Sequence, residues 1–167
     1  MPHLADAYTL ARWLTQSRAD ADDVLQEACM RAFSAIDRRS GQNPRAWLMA
    51  IVRNTAYTWI NGRRSATMIG IDDLNEKDRL QVESSGNGAD GPIDPEAGMI
   101  ARADLRQIGA LIEDLPLEFR ETLVLRDLQG FRYHEIADVT GVPVGTVMSR
   151  LARARQRLMA AIRESHS

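Results

Sequence analysis

Apolar residues recur along this chain at the three- to four-residue spacing of helices that are buried on one side. The spacing predicts helices over Leu4–Thr15, Val24–Ile36 and Pro44–Asn61 in the first part of the chain. We find no internal repeat and no strand-like alternation of apolar and polar residues. The pattern therefore predicts an all-α protein.

Polar residues and glycines predict where these helices begin and end. The sequence predicts Asp20 as the N-cap of the second helix, and Gly62 follows the third. Phe33 and Ile36 continue the apolar face of the second helix, so we expect them in the core. Cys29 lies on the same face, and we expect it to pack there as a small buried hydrophobe.

The middle of the chain has a different composition. Residues 65–98 are rich in Gly, Ser, Asp and Pro with little to pack, which predicts a flexible acidic linker. Helical spacing resumes at Met99, is interrupted at Pro116, and ends near Gly130. The expected organisation is a helical domain over residues 1–64, the linker over 65–98, and a second helical domain over 99–167.

The C-terminal segment Phe131–Leu158 predicts a helix-turn-helix. Its first helix ends at Gly141, which adopts the left-handed conformation of helix ends easily, and Pro143 suits the start of the next helix. The second helix has one apolar stripe and carries arginines on its other faces. Such a helix enters the DNA major groove, where its hydroxyls and arginines reach base edges and phosphates. A helical hairpin with a solvated basic face is the alternative.

Composition excludes several classes of protein. No apolar run approaches the length of a membrane span, and the N-terminus lacks the pattern of a signal peptide. The single cysteine cannot form an internal disulfide, and the three histidines are scattered. No nucleophile–base pattern, phosphate-binding glycine loop or metal-ligand spacing is present. We expect a cytoplasmic protein that is not an enzyme and needs neither cofactor nor metal.

Charge is unevenly distributed, although the formal net charge is only −2. Residues 1–64 hold 9 Lys/Arg and 6 Asp/Glu, whereas residues 65–99 hold 2 and 8. Residues 143–167 hold 5 basic and 1 acidic residue. Because local patches decide affinity for nucleic acid, this distribution is compatible with DNA binding by both helical domains.

Three stretches together resemble a known family. They are DADDVLQEACMRAFSAI from Asp20, NPRAWLMAIVRNTAYTWINGRR from Asn43, and the segment from Leu115 that contains GVPVGTVMSRL. In this order they resemble regions 2.1–2.2, 2.3–2.4 and 4 of bacterial sigma-70-class sigma factors, specifically the small extracytoplasmic-function type. The resemblance implies a monomeric protein that binds core RNA polymerase, directs it to promoters and helps to open them, commonly under control of an anti-sigma factor.

The resemblance also implies roles for individual residues. The surface that docks on the polymerase would comprise Asp22, Asp23, Gln26, Glu27, Met30 and Arg31. The −10 element would be bound by a base-capturing loop and a strand-binding helix, through Arg38, Arg39, Ser40, Asn43, Arg53, Asn54, Tyr57, Arg63 and Arg64. The −35 element would be bound by Arg132, Pro143, Gly145, Thr146, Ser149, Arg150, Arg153 and Arg157.

The chain departs from the family pattern at a few positions. Met148 stands where relatives often have a basic residue, and Tyr57 and Trp59 stand where many have aliphatic or charged ones. Two other interpretations remain open. One is a stand-alone helix-turn-helix regulator whose N-terminal helices dimerise it on palindromic sites. The other is an adaptor that mimics a sigma factor in order to titrate an anti-sigma factor.

Overall fold

The computed structural model describes residues 2–38, 43–68 and 105–166. The first group of helices comprises α1 (Leu4–Thr15), α2 (Arg18–Ala35) and α3 (Pro44–Met68), with a 3₁₀ turn at Ile36–Arg38. The second group comprises α4 (residues 105–113), α5 (Leu117–Leu123, extended by a π turn at Val124–Leu128), α6 (Tyr133–Thr140) and α7 (Val144–Ser165). The described residues form helices and no strand, and the predicted all-α class is confirmed.

The start of α2 differs from the prediction. Gln16 has a left-handed backbone that ends α1, and the extended Ser17 then caps α2, its hydroxyl accepting from the Asp20 N–H at 3.3 Å. The prediction that Asp20 is the N-cap is therefore wrong, because Ser17 already satisfies that N–H three residues earlier. Asp20 instead lies within the first turn, and its buried carboxylate bonds to Arg63.

The core of the first helical group uses small residues on α2. Val24, Ala28 and Ala32 recur every four residues and are fully buried against α1 and α3. Phe33 is 63% exposed and Ile36 is 48% exposed, so their predicted core positions are wrong. Phe33 lies about 100° around the helix from Ala32, whereas Ile36 lies beyond the end of α2, in the 3₁₀ turn. Cys29 is half-buried rather than buried.

Helix α3 continues beyond its predicted end. It runs through Gly62 to Met68, so the first four residues of the predicted linker are helical. No contact at Gly62 calls for a glycine, because a Cβ there would meet nothing within 4 Å. The rest of the predicted linker, residues 69–98, lies outside the described residues, as do residues 99–104.

The second helical group contains the predicted helix-turn-helix. Pro116 precedes α5, Gly141 ends α6 at φ 74°, and Pro143 is the N-cap of α7. Val147 and Leu151 of α7 are buried on α5 and α6. Across the described parts of the chain, no helix is both long and apolar enough to cross a membrane.

The two helical groups pack against each other, α3 on α6 and α1 on α5. Polar bonds cross this interface beside a continuous hydrophobic core to which both groups contribute. Arg45 donates to the Gln129 carbonyl at 2.7 Å, and the Gln129 side chain donates to the Asp6 carbonyl at 2.8 Å. Gln16 donates to the Glu113 carbonyl at 2.7 Å. The interface therefore determines which surfaces of either group are open to a partner.

Candidate nucleic-acid and protein interfaces

One side of α2 forms a mixed acidic and apolar surface. Asp22, Asp23, Gln26 and Met30 are exposed, and Glu27 forms a 2.5 Å ion pair with the exposed Arg31 one turn later. These are the residues that the sequence predicts for polymerase binding, and the structure places them together.

Phe33 and Ile36 extend this surface beyond Met30, which is 71% exposed. The sequence prediction missed both residues, because apolar spacing alone does not show which of two apolar sides faces the core. The alanines at positions 28 and 32 provided a signal, since a stripe of small residues suits close packing between helices. We refer to Asp22, Asp23, Met30, Phe33 and Ile36 as the α2 patch.

The loop before α3 is described only at its ends. Arg38 is exposed, whereas Arg39 and Ser40 lie outside the described residues. The Asn43 side chain accepts from the Arg45 N–H at 3.0 Å and donates to the Glu135 carboxylate at 2.7 Å. Asn43 therefore caps α3 and reaches α6 of the second helical group.

A cleft of about 620 Å³ lies beside Asn43 and between the two groups. Its walls include Trp47 from α3 together with His134, Glu135 and Asp138 from α6. The half-buried Trp47 therefore contributes both to the core and to this opening.

Two residues predicted to hold the −10 strand, Arg53 and Tyr57, bind a carboxylate of the same chain. Arg53 Nε donates to Glu121 Oε1 at 2.6 Å, and the Tyr57 hydroxyl donates to Glu121 Oε2. The Arg53 guanidinium also lies over the Tyr57 ring, 3.8 Å from its centroid. Asn54, between them, is exposed. We refer to Glu121, Arg53 and Tyr57 as the Glu121 cluster.

Electrostatics in the Glu121 cluster are governed by burial. The Glu121 side chain is fully buried, and loss of hydration raises the pKa of Glu121 although Arg53 and Tyr57 oppose the shift. Burial and the Glu121 charge raise the pKa of Tyr57 well above its ordinary value, which keeps the phenol neutral. The sequence prediction missed Glu121, because nothing in its helical spacing separates it from an exposed acid.

Arg120, next to Glu121, binds backbone carbonyls from both helical groups. It donates to Trp13 O at 2.8 Å, at the end of α1, and to Leu115 O at 2.9 Å, after α4. Burial lowers the pKa of Arg120 to about 10. Carbonyls at helix C-termini carry partial negative charge, which suits a guanidinium.

The remaining residues predicted for the −10 element lie at the end of α3. Arg63 Nη1 is 2.5 Å from the Asp20 carboxylate, although most of the Arg63 side chain is exposed. Arg64 is also exposed. The structure thus brings Arg63 and Arg64 to the surface, on a helix that also carries Arg53 and Tyr57.

Helix α7 presents most of the residues predicted for the −35 element. Pro143, Gly145, Ser149 and Arg153 are exposed near its start, and Thr146 is half-buried. Arg132 is exposed just before α6.

Three arginines of α7 are engaged with α5 or its π turn. Arg150 is half-buried, with Nη2 3.9 Å from the Glu118 carboxylate. Arg157 lies over the Phe119 ring, 4.9 Å from its centroid. Arg155 makes two bonds to Asp127, at 2.6 and 3.1 Å.

Comparison with protein families gives two separate matches. Residues 1–66 match the family model of Sigma-70 region 2, and residues 105–158 match that of Sigma-70 region 4. The first contains the α2 patch, Arg53 and Tyr57, and the second contains Glu121 and the helix-turn-helix.

Curated relatives match most of the chain. It is 37% identical over 145 residues to the ECF RNA polymerase sigma-E factor of Escherichia coli strain K12, covering 83% of this chain and 72% of that protein. It is 32% identical over 141 residues to the ECF RNA polymerase sigma factor EcfG of Rhodopseudomonas palustris, covering 84% of this chain and 70% of that protein.

Two solved structures share the fold. The sigma factor RpoE of Bartonella quintana, crystallised with the anti-sigma factor NepR, aligns with a TM-score of 0.75 and 24% identity, over 97% of this chain and 92% of that one. CnrH, in complex with the cytosolic domain of CnrY, aligns with a TM-score of 0.64 and 24% identity, over 98% and 84%. From the family matches and the curated relatives, the chain belongs to the extracytoplasmic-function (ECF) sigma factors of the sigma-70 family.

Proposed function

We propose that this ECF sigma factor binds core RNA polymerase through the α2 patch and directs it to promoters through α3 and α7. The observation that carries the proposal is the exposure of acidic and large apolar side chains together on α2, beside a fully buried alanine stripe. A solvated helix face gains nothing from exposing Met30 and Phe33, whereas a protein-binding face does.

The α2 patch suits a basic and apolar partner surface. Burying an exposed phenylalanine or methionine side chain contributes about 1.5–3 kcal/mol, and such residues commonly dominate protein interfaces. Asp22 and Asp23 lie in the early turns of α2 and add negative charge, which speeds association with a basic surface. Gln26, Glu27 and Arg31 provide the polar rim.

The −10 element would be held at the first helical group. The loop with Arg38, Arg39, Ser40 and Asn43 would capture a base turned out of the DNA stack. Arginines and a tyrosine on α3 suit an unpaired strand, since guanidinium groups hold phosphates while aromatic rings stack on bases. These α3 residues are Arg53, Asn54, Tyr57, Arg63 and Arg64.

The −35 element would be read by the start of α7 in the major groove. Pro143, Gly145, Thr146 and Ser149 would lie closest to the DNA, with Arg150 and Arg153 reaching bases or phosphates. Arg132 and Arg157 would bind flanking phosphates. Neutralising phosphates releases counterions, so binding would weaken steeply with salt.

The proposed role is that of a monomeric cytoplasmic initiation factor with no catalytic step of its own. Control by an anti-sigma factor is part of the proposal. Of the two solved structures with the same fold, one is a complex with the anti-sigma factor NepR and the other is a complex with the cytosolic domain of CnrY.

A capture experiment tests the proposed function. Core RNA polymerase loaded with this chain is incubated with sheared genomic DNA of the bacterium that encodes the chain, and the retained fragments are sequenced. We expect fragments that share two short elements at constant spacing, retained only when polymerase and chain are both present. Arg153→Ala should reduce enrichment for the upstream element, because a good bidentate base contact contributes about 1–3 kcal/mol of discrimination.

Arg163→Ala is the matched control, since Arg163 is an exposed arginine in the last turn of the same helix. It should leave the enrichment unchanged. Retention of palindromic fragments by a dimer of this chain without polymerase would contradict the proposal and favour a stand-alone regulator.

A further inference from the structure

The Glu121 cluster joins the two helical groups through a buried charge. The Glu121 side chain, on α5, is fully buried, and both of its oxygens bind partners on α3. A carboxylate withdrawn from water is costly unless charged or polar partners replace the lost hydration. Arg53 and Tyr57 supply those partners only when the two helical groups are packed together.

We propose that Glu121 is an internal ligand of the −10 surface, so that α3 binds either α5 of its own chain or the promoter strand, but not both. This inference rests on the proposed function, because it takes α3 as a DNA-binding helix. The carboxylate offers Arg53 and Tyr57 what a phosphate offers: negative charge and two oxygen acceptors in hydrogen-bond reach.

Geometry prevents Arg53 and Tyr57 from binding Glu121 and the promoter strand at the same time. Arg53 uses Nε on Glu121, and its guanidinium covers one face of the Tyr57 ring at 3.8 Å. The Tyr57 hydroxyl is bonded to the other carboxylate oxygen. A base stacked on this ring or a phosphate beside this guanidinium would have to displace Arg53 or Glu121.

Hydrogen bonds to backbone carbonyls also join the two helical groups elsewhere in the interface. Arg120 bonds to the Trp13 and Leu14 carbonyls at 2.8 and 3.4 Å, and Arg45 bonds to the Gln129 carbonyl. Water can replace each of these bonds when the groups separate. Interfaces between two units of one chain commonly permit relative motion.

Charge reversal at Glu121 tests the proposal in the full-length protein. Glu121→Lys would place a cation beside Arg53 in a buried site, so we expect the helical groups to separate. Glu118→Lys is the matched control, because Glu118 lies on the same helix with an exposed side chain and gives the same change in net charge.

Two measurements report on the separation of the helical groups. Small-angle X-ray scattering should give a larger radius of gyration for Glu121→Lys than for Glu118→Lys or the wild type. Binding of a fluorescent single-stranded DNA of mixed sequence should be about tenfold tighter for Glu121→Lys than for Glu118→Lys, if the open form is about a tenth of the wild-type population. Circular dichroism should show unchanged helix content.

A charge-swapped double variant addresses any loss of folding in Glu121→Lys. Arg53→Glu combined with Glu121→Arg should restore the compact radius while it weakens DNA binding. A Glu121→Lys protein that stays compact, or a swapped variant that stays extended, would overturn the proposal. An extended Glu121→Lys protein with no gain in DNA binding would overturn it too, whereas failure of the capture experiment would count against the proposed function itself.

Discussion

The Glu121 carboxylate lies between Arg53 and Tyr57, out of contact with solvent. At the scale of single residues, the sequence predicted Arg53 and Tyr57 as functional but did not predict what they bind in the folded chain. Their partner is 68 and 64 residues away, and contacts at such separation are set by packing rather than by local spacing. The same limit applies to Phe33, whose exposure depends on which side of α2 meets its neighbours.

The raised pKa of Glu121 gives the packed form a dependence on pH. Burial is the cause, and the groups that face the carboxylate are Arg53 and Tyr57 on α3 and Arg150 on α7. Because the packed form holds this pKa above its ordinary value of 4.5, it binds the proton more tightly than the separated form does. The resulting stabilisation of the packed form is complete at a pH below the ordinary pKa of glutamate. It is lost as the pH rises through the raised pKa of Glu121.

We therefore expect the packed population to increase as the pH falls from 7 towards 5. Scattering curves of the wild type and of Glu121→Gln, recorded across this range, measure the effect. Glutamine keeps hydrogen-bonding capacity without titrating, so the difference between the two proteins isolates Glu121. A wild type that opens more than Glu121→Gln on acidification would contradict the sign of this pKa shift.

At the scale of elements, sequence patterns located the helices well and their ends less well. Gly141 ends α6 as predicted, because its positive φ favours a residue without a Cβ. Gly62 did not end α3, since a glycine within a helix is tolerated at about 1 kcal/mol relative to alanine. The N-cap of α2 was missed because Ser17 and Asp20 are both good cap residues, and only the backbone conformation distinguishes them.

Replacing either of these two glycines by alanine should change the free energy of unfolding, in opposite directions. Gly141→Ala should lower the free energy of unfolding by about 1–2 kcal/mol, because alanine is strained in the left-handed region. Gly62→Ala should raise it by about 0.5–1 kcal/mol, because the position is helical and exposed, with space for a Cβ. Urea denaturation followed by circular dichroism measures both changes, and changes of the same sign would contradict the two assignments.

At the scale of the whole molecule, helical spacing and the change in composition between residues 65 and 98 predicted two helical units but not how they pack. The packing buries Arg120 and Glu121, consecutive charged residues that a sequence pattern would place at the surface. Their burial is possible because the first helical group supplies a backbone carbonyl to Arg120 and binds Glu121 through Arg53 and Tyr57. The same contacts cover Arg53 and Tyr57 of the proposed −10 surface, while the α2 patch stays exposed.

This arrangement allows polymerase binding to be tested separately from DNA binding. The α2 patch is exposed in the packed form, so core RNA polymerase can reach it without prior separation of the helical groups. Asp23→Arg reverses one charge in the patch without touching the Glu121 cluster. Asp138→Arg, at an exposed position of α6, makes the same change in charge on the other helical group.

Size-exclusion chromatography of these proteins with core RNA polymerase tests the central claim most directly. We expect the wild type and Asp138→Arg to co-elute with polymerase at equal stoichiometry, and Asp23→Arg to elute alone. Co-elution of Asp23→Arg at the wild-type level, or failure of the wild type to co-elute, would contradict polymerase binding through the α2 patch.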